Sequence, residues 1–250
     1  MKDSSHWYNR DGTPCYEVPN KSKPGQMRAT TIRDARLLDL VPSVSTIGKI
    51  IYSASLQNWI QDQIVKAAWE IKTDHERDYY IWAGKVYEKA GEISSTAADT
   101  GSAIHKAVEE FLCGTISEQY FAWQKTFAGW WNGFYRAGDV FTSEGYIRTG
   151  FGYGGRYDLF VVTPEDRIII DLKTQNTKGK KFTYYRSWGR QLAAYAQPLK
   201  ATRLISVVMD SQDSSKIDSY EWPEQEQLLA EFQASQILWL SENDLTRRSK

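Results

Sequence analysis

Two carboxylates and one amine stand close enough in this sequence to do chemistry together. Asp158 ends the run G-Y-G-G-R-Y-D, and Asp171 and Lys173 follow in I-I-I-D-L-K-T after the turn Thr163-Pro164-Glu165-Asp166. Side chains at i and i+2 of a strand project from one face, so Asp171 and Lys173 point together, and a meander through the turn sets Asp158 beside them. Carboxylate oxygens suit hard divalent cations such as Mg²⁺ and Mn²⁺, and the carbonyl of Leu172, between the two side chains, offers another oxygen. A cation held there polarises a phosphate and lowers the pKa of a bound water, while Lys173 orients that water or counters developing negative charge. That chemistry is phosphodiester hydrolysis. The competing reading is a surface ion pair, because D-x-K tripeptides arise often by chance. Against it stands the run Arg167-Ile168-Ile169-Ile170: so apolar a strand is buried, and it carries Asp171 and Lys173 to a place where unpaired charge is costly.

The elements that must position these residues are legible as periodicity. His6 to Val18 has aromatic strand formers on either side of Asn9-Arg10-Asp11-Gly12 and predicts a hairpin, followed by a loop at Lys21 to Gln26. Pro42-Ser43 opens a helix, two or three helices fill Ser43 to Ala90, and Ser95 to Leu112 and Glu118 to Tyr135 add an amphipathic and an aromatic one. The period then changes. Gly145 to Val162 and Arg167 to Leu172 read as neighbouring strands, followed by a helix from Tyr184 to Leu199 and a strand from Leu204 to Met209. A short strand at Ile217 to Trp222 and a helix from Glu224 to Ser241 close the chain. This order predicts an α/β sandwich with a helical N-terminal half: an N-terminal hairpin and loop over 1–40, a helical region packed on the core over 41–137, and the core itself over 138–250.

Composition narrows the partners. Lys plus Arg equals Asp plus Glu at 31 each, so net charge says nothing about nucleic acid, and charge position decides. From Leu172 to Met209 there are eight basic residues and no acidic one, and Phe182, Tyr184, Tyr185 and Trp188 interleave with them. Aromatic faces among cations suit unstacked bases, which makes Lys178, Lys180, Lys181, Tyr185, Arg186, Trp188 and Arg190 the candidate nucleic-acid contacts; the plainer alternative is a solvated loop followed by core aromatics. Only Cys15 and Cys113 are present, which excludes a four-cysteine zinc or iron-sulfur site and fits a reducing compartment. No stretch approaches the roughly 18 apolar residues of a membrane span, so a cytoplasmic protein with no membrane partner is expected. Ten Trp are present, and Trp59, Trp69, Trp82, Trp123, Trp130 and Trp131 fall in the helical half, where they either pack helices or face a ligand.

Four short motifs in series carry a family resemblance. G-S-A-I-H-K-A-V-E-E at Gly101 to Glu110, G-G-R-Y-D at Gly154 to Asp158, D-L-K-T at Asp171 to Thr174 and Q-L-A-A-Y at Gln191 to Tyr195 resemble, in order and spacing, the RecB-like branch of the PD-(D/E)xK nucleases. The small phage exonucleases and the mitochondrial genome maintenance exonuclease are the most similar members, and their PSVTTI-like segment is echoed by Pro42 to Ile47. The resemblance spans about Pro42 to Met209 and implies a restriction-endonuclease-like core, a central mixed sheet flanked by helices. It also implies roles: His105, Asp158, Asp171 and the Leu172 carbonyl as metal ligands, Lys173 as the catalytic lysine, and Gln191 and Tyr195 completing the site. Glu144 stands where some relatives carry an acidic residue before the first core strand. One or two Mg²⁺ or Mn²⁺ ions and no iron-sulfur cluster are implied, with DNA as substrate, cut exonucleolytically from single-stranded or frayed ends that thread beneath a helical arch. The alternatives are a structure-selective or restriction-like endonuclease and a binding module that does not cut. Read without the resemblance, His105 beside Ile104 and Val108 is as readily a packed or capping histidine as a ligand, and Gln191 and Tyr195, four apart on one helix face, could be an exposed glutamine and a core tyrosine.

Overall fold

The computed structural model describes residues 6–51, 53–71 and 78–245, in two compact units: Met1–Ile51 with Lys125–Lys250, and Tyr52–Gln124. The unit boundaries differ from the divisions at 40 and 137 read from the sequence. Residues 41–51 and the end of the aromatic helix pack against the sheet, so they belong with it.

In the first unit the chain opens with β1 (Trp7–Tyr8), β2 (Glu17–Pro19), β3 (Met27–Ala29), α1 (Ile32–Leu38), β4 (Val41–Pro42) and α2 (Val44–Gly48). The backbone reverses at Asn9, whose N–H donates to Thr13 O at 2.8 Å, and an antiparallel bridge joins Tyr8 to Pro14, so the turn closes as a short hairpin, while β1 pairs further with β4 and β2 with β3. Trp7 is the reason: it is fully buried, 5.8 Å from the Trp239 ring, and draws β1 into the core. Helix α1, which the periodicity did not announce, starts at a capping box between Thr31 and Asp34.

The second unit contains α3 (Ala54–Ile71) and most of the helical stretch before the sheet. Helix α4 (Tyr79–Leu112), capped by Asp78 Oδ1 on the Tyr80 and Ile81 amides, runs unbroken through the segment read as two helices. Ser94, Thr96 and Thr100 donate their hydroxyls to carbonyls four residues back, so the small polar stretch bonds within the helix instead of ending it. Ala67, Val86 and Ala90 pack α3 on α4 together with Ile64, Ile71, Trp82 and Ile93.

Helix α5 (Phe121–Phe134) leads to a five-stranded sheet of β5 (Val140–Tyr146), β6 (Arg156–Val162), β7 (Arg167–Gln175), β8 (Arg203–Asp210) and β9 (Ile217–Glu221), with α6 (Arg186–Leu199) between β7 and β8 and α7 (Gln225–Glu242) last. The strands lie in sequence order; β7 and β8 are parallel and the other neighbours antiparallel, so the sheet is mixed. A parallel pair needs a crossover, and α6 supplies it. Ile169, Phe160 and Leu204 share one sheet face with a core that includes Leu192 and Ala196 of α6 and Phe232 of α7. On the other face Leu159, Val161, Ile168, Ile170 and Val207 are buried. Helix α5 lies on that side: Trp131 meets the Phe141 ring edge-on at 5.4 Å, and Trp130 Nε1 donates to Ser219 Oγ. With both faces covered, β7 and β8 read as continuous apolar runs, while edge strand β9 is mostly exposed. Among the described residues no helix is long and apolar enough to cross a membrane.

Ile170 is fully buried on the α5 face of β7. Ile170→Ala is expected to cost about 2 to 5 kcal/mol of unfolding free energy in urea titration. A cost below about 1 kcal/mol would mean that α5 does not seal this face.

Candidate active site

The site grows out of the β6–β7 hairpin. Thr163 makes the turn, its N–H donating to Asp166 O at 2.9 Å and its hydroxyl accepting from the Asp166 amide. The ladder then pairs Val162 with Arg167 and Leu159 with Ile170. One step further in that register Asp158 stands opposite Asp171, at the separation of about 5 Å that cross-strand neighbours have. Asp158 Oδ2 accepts from the Leu172 amide at 2.7 Å, which ties the first carboxylate to the strand carrying the second. Asp171 is 2 % exposed. Lys173 Nζ lies 2.6 Å from Asp171 Oδ2 and 3.3 Å from Gln191 Oε1, so the ammonium bridges the strand to α6.

Electrostatics follow from this crowding. Burial pushes the Asp158 carboxyl above the usual carboxylate range, opposed by Lys173, by the Leu172 amide and by Arg156. Tyr195, one turn after Gln191, has its hydroxyl driven far upward by burial and then by the Asp171 and Asp158 charges. It therefore stays protonated and can act as a donor. Tyr195 reaches this position because Gly155 has no side chain: a Cβ there would lie 2.5 Å from Tyr195 Cε1. Gly154 plays the same part for Tyr8, whose ring atoms would meet its Cβ at 2.5 Å. The Pro42 to Ile47 segment holds these glycines in place, since Gly154 N–H donates to Pro42 O and Val44 N–H to Gly154 O, both at 2.9 Å. The G-G-R-Y-D and P-S-V-S-T-I motifs are thus two sides of one clamp.

A third acid lies in the same cross-strand row. Ser143 pairs with Leu159 and Gly145 with Tyr157, so Glu144 falls opposite Asp158, inside β5 and not ahead of the first core strand. Its φ of 53° is one that non-glycine residues seldom adopt, and its Oε2 accepts from Arg156 Nε at 2.7 Å. The sequence reading did not single out Arg156; its spacing of two from Asp158 on a strand was the available signal.

Gln191 and Tyr195 are brought together with Asp158, Asp171 and Lys173. His105 lies on α4, in the 52–124 unit. Lys178, Lys180 and Lys181 are exposed on the loop after β7, which Thr177 anchors by bonding to Asp210, and Thr183 closes by donating its amide to Gln175 Oε1 at 3.1 Å. Arg186 and Arg190 both engage Glu231 of α7, at 2.7 and 3.4 Å. Tyr185 is partly exposed, and Trp188 packs at the core margin.

Among the described residues no three His, Cys, Asp or Glu side chains converge as a ready-made metal cluster. The donor set nevertheless fits a hard divalent ion, because Mg²⁺ is commonly held by one or two carboxylates with water filling the remaining positions. Asp158 and Asp171 supply two facing carboxylates whose mutual repulsion a cation would relieve.

The contact between Gly155 and Tyr195 predicts a double-mutant result. Gly155→Ala is expected to destabilise by about 1 to 3 kcal/mol through overpacking. In a Tyr195→Ala background the penalty should shrink, giving a coupling of about 0.5 to 3 kcal/mol in denaturant titrations. Additive costs would place Tyr195 away from Gly155.

Comparison with known proteins bears on the same segment. A family model for the PD-(D/E)XK nuclease superfamily matches residues 123–234. No curated protein matches the chain. Among solved structures, the chain is similar to SSO0001, with TM-score 0.35, 18% identity and coverage of 72% of this chain and 74% of that one. It is also similar to an alkaline exonuclease, LHK-Exo, from Laribacter hongkongensis, with TM-score 0.43, 16% identity and coverage of 82% and 88%. At such scores neither neighbour bears on what this chain does. The family model covers the part of the chain that matters here: the segment carrying Asp158, Asp171, Lys173, Gln191 and Tyr195 is similar to the PD-(D/E)XK nuclease superfamily.

Proposed function

We propose that the chain is a Mg²⁺- or Mn²⁺-dependent deoxyribonuclease that hydrolyses phosphodiester bonds from single-stranded or frayed ends. The observation that supports this most is the meeting of Asp158, Asp171 and Lys173 on one sheet face, with Lys173 held between Asp171 and Gln191. A divalent ion on the carboxylates would supply Lewis acidity and an acidified water. The protein's own part is positional and electrostatic. Asp158 and Asp171 would hold the ion, with the Leu172 carbonyl as a further oxygen donor. Lys173 places a positive charge where the phosphorane-like oxygens gain negative charge. Gln191 fixes the reach of that ammonium, and the buried, protonated Tyr195 hydroxyl hydrogen-bonds with Gln191 beside the carboxylate pair. The assignment of His105 as a ligand rests on the motif series alone.

Lys178, Lys180 and Lys181 are the proposed phosphate contacts beyond the site, with Tyr185 and Trp188 beside them. Arg186 and Arg190 share Glu231, so their contribution to DNA binding requires that carboxylate to be shared or released. Action from an end is proposed from the resemblance of the motif series to exonucleases.

End-labelled linear single strands and covalently closed circles of the same sequence, incubated with Mg²⁺, Mn²⁺ or EDTA, test this reading. Linear strands should be degraded with either ion and not in EDTA, circles should survive, and Lys173→Ala should lose at least about 100-fold in rate. Cleavage in EDTA or wild-type turnover by Lys173→Ala would overturn the hydrolytic site. Equal degradation of circles would establish an endonuclease, and tight binding without cleavage a non-cutting module.

A further inference from the structure

The catalytic face of the sheet continues past Arg156 into a group of aromatic rings that the mechanism does not use. Tyr146, on β5, pairs directly with Arg156, which stands two residues before Asp158 on β6. Tyr146 is thus the diagonal cross-strand neighbour of Asp158, a relation that spans about 7 to 8 Å. Behind it Tyr8 is buried, with its ring 6.3 Å from Tyr146 and 5.6 Å, edge-on, from Tyr16. The Tyr8 and Tyr16 hydroxyls lie 2.7 Å apart, and the Tyr16 ring is 4.7 Å from His6 at 33°. Tyr16 and Tyr146 keep 38% and 46% of their surface exposed. Tyr16 is also near enough to Tyr195 to raise its hydroxyl further, which ties these rings to the carboxylate pair.

Such an arrangement has few uses as packing. The buried member, Tyr8, already fills the space over Gly154, and the outer rings add little to that core. They are held rigidly by a buried tyrosine while remaining open to solvent, at about one nucleotide's reach from the carboxylate row. A nucleobase leaving the stack of a single strand offers a π-face of matching size, and stacking on an aromatic ring tolerates every base. Burial, with Lys49 nearby, lowers the His6 pKa, so its imidazole is a neutral ring near neutral pH.

We propose that Tyr16 and Tyr146, backed by Tyr8 and His6, form a stacking shelf for the base of the nucleotide beside the scissile phosphate. The shelf rests on the nuclease reading of the Asp158, Asp171 and Lys173 site and adds to it a preference for unpaired, base-bearing strands. It lies on the β5 side of the site, whereas the basic loop lies beyond the C-terminal end of β7, so the two would contact different nucleotides.

Fluorescence anisotropy in EDTA, with a labelled oligothymidylate and an abasic deoxyribose-phosphate strand of equal length, separates stacking from phosphate contact. Wild type is expected to bind the base-bearing strand roughly tenfold or more tightly than the abasic one. Tyr146→Ala, alone and with Tyr16→Ala, should remove most of that difference while leaving abasic affinity unchanged, and Tyr146→Phe should restore it. Loss of affinity for both strands alike, no discrimination by wild type, or a Tyr146→Ala protein that discriminates as wild type does would each overturn the shelf. The nuclease reading is scored separately, by cleavage of the base-bearing strand by wild type in Mn²⁺. Cleavage without base discrimination sinks the shelf alone, and base discrimination without cleavage sinks the nuclease reading alone.

Discussion

Two carboxylates facing each other across one strand spacing are the constraint that the rest of this unit answers to. Like charges opposed in an antiparallel pair are destabilising, and more so where water is scarce. Asp171 is nearly inaccessible, and Asp158 is drawn toward the same strand by the Leu172 amide. Burial raises the Asp158 carboxyl, and the charges of Lys173 and Arg156 oppose that rise. Asp158 and Asp171 are the residues that would hold a small multivalent cation, with Lys173 beside them.

The fold keeps this arrangement from relaxing. Both faces of β7 are covered, by α6 and α7 on one side and α5 on the other, so the strand cannot rotate its charges into solvent. The glycine pair before Asp158 admits Tyr8 and Tyr195, and β4 with the start of α2 locks those glycines through two backbone bonds. Beyond the site, the Thr177 to Asp210 contact fixes the loop that displays Lys178, Lys180 and Lys181.

Much of this was legible in the residues, for reasons of period. The run Ile168 to Leu172 announced a doubly covered strand, and strand parity placed Asp171 with Lys173 and, through the turn, Asp158 beside them. The i, i+4 spacing placed Gln191 and Tyr195 on one helix face, and both face the site. What was not legible depends on distant partners. Nothing local distinguishes β1 as a partner of β4, or tells that Glu231, 41 and 45 residues along, would occupy Arg190 and Arg186. The periodicity ended one helix at Ala90 and began the next at Ser95, and only the hydroxyl bonds to earlier carbonyls reveal a continuous α4. Glu144 was placed by resemblance, whereas its position across from Asp158 comes from register.

The claim on which all of this rests is that the facing carboxylates bind a divalent cation. Titration of Mn²⁺ into the protein, followed by electron paramagnetic resonance, measures this without substrate. Asp158→Asn removes one charge and relieves the repulsion, so the variant should remain folded by circular dichroism. Wild type is predicted to bind Mn²⁺ and Asp158→Asn to bind about tenfold more weakly or worse, a difference of at least ~1.4 kcal/mol. Superimposable titration curves for the two folded proteins would contradict the account.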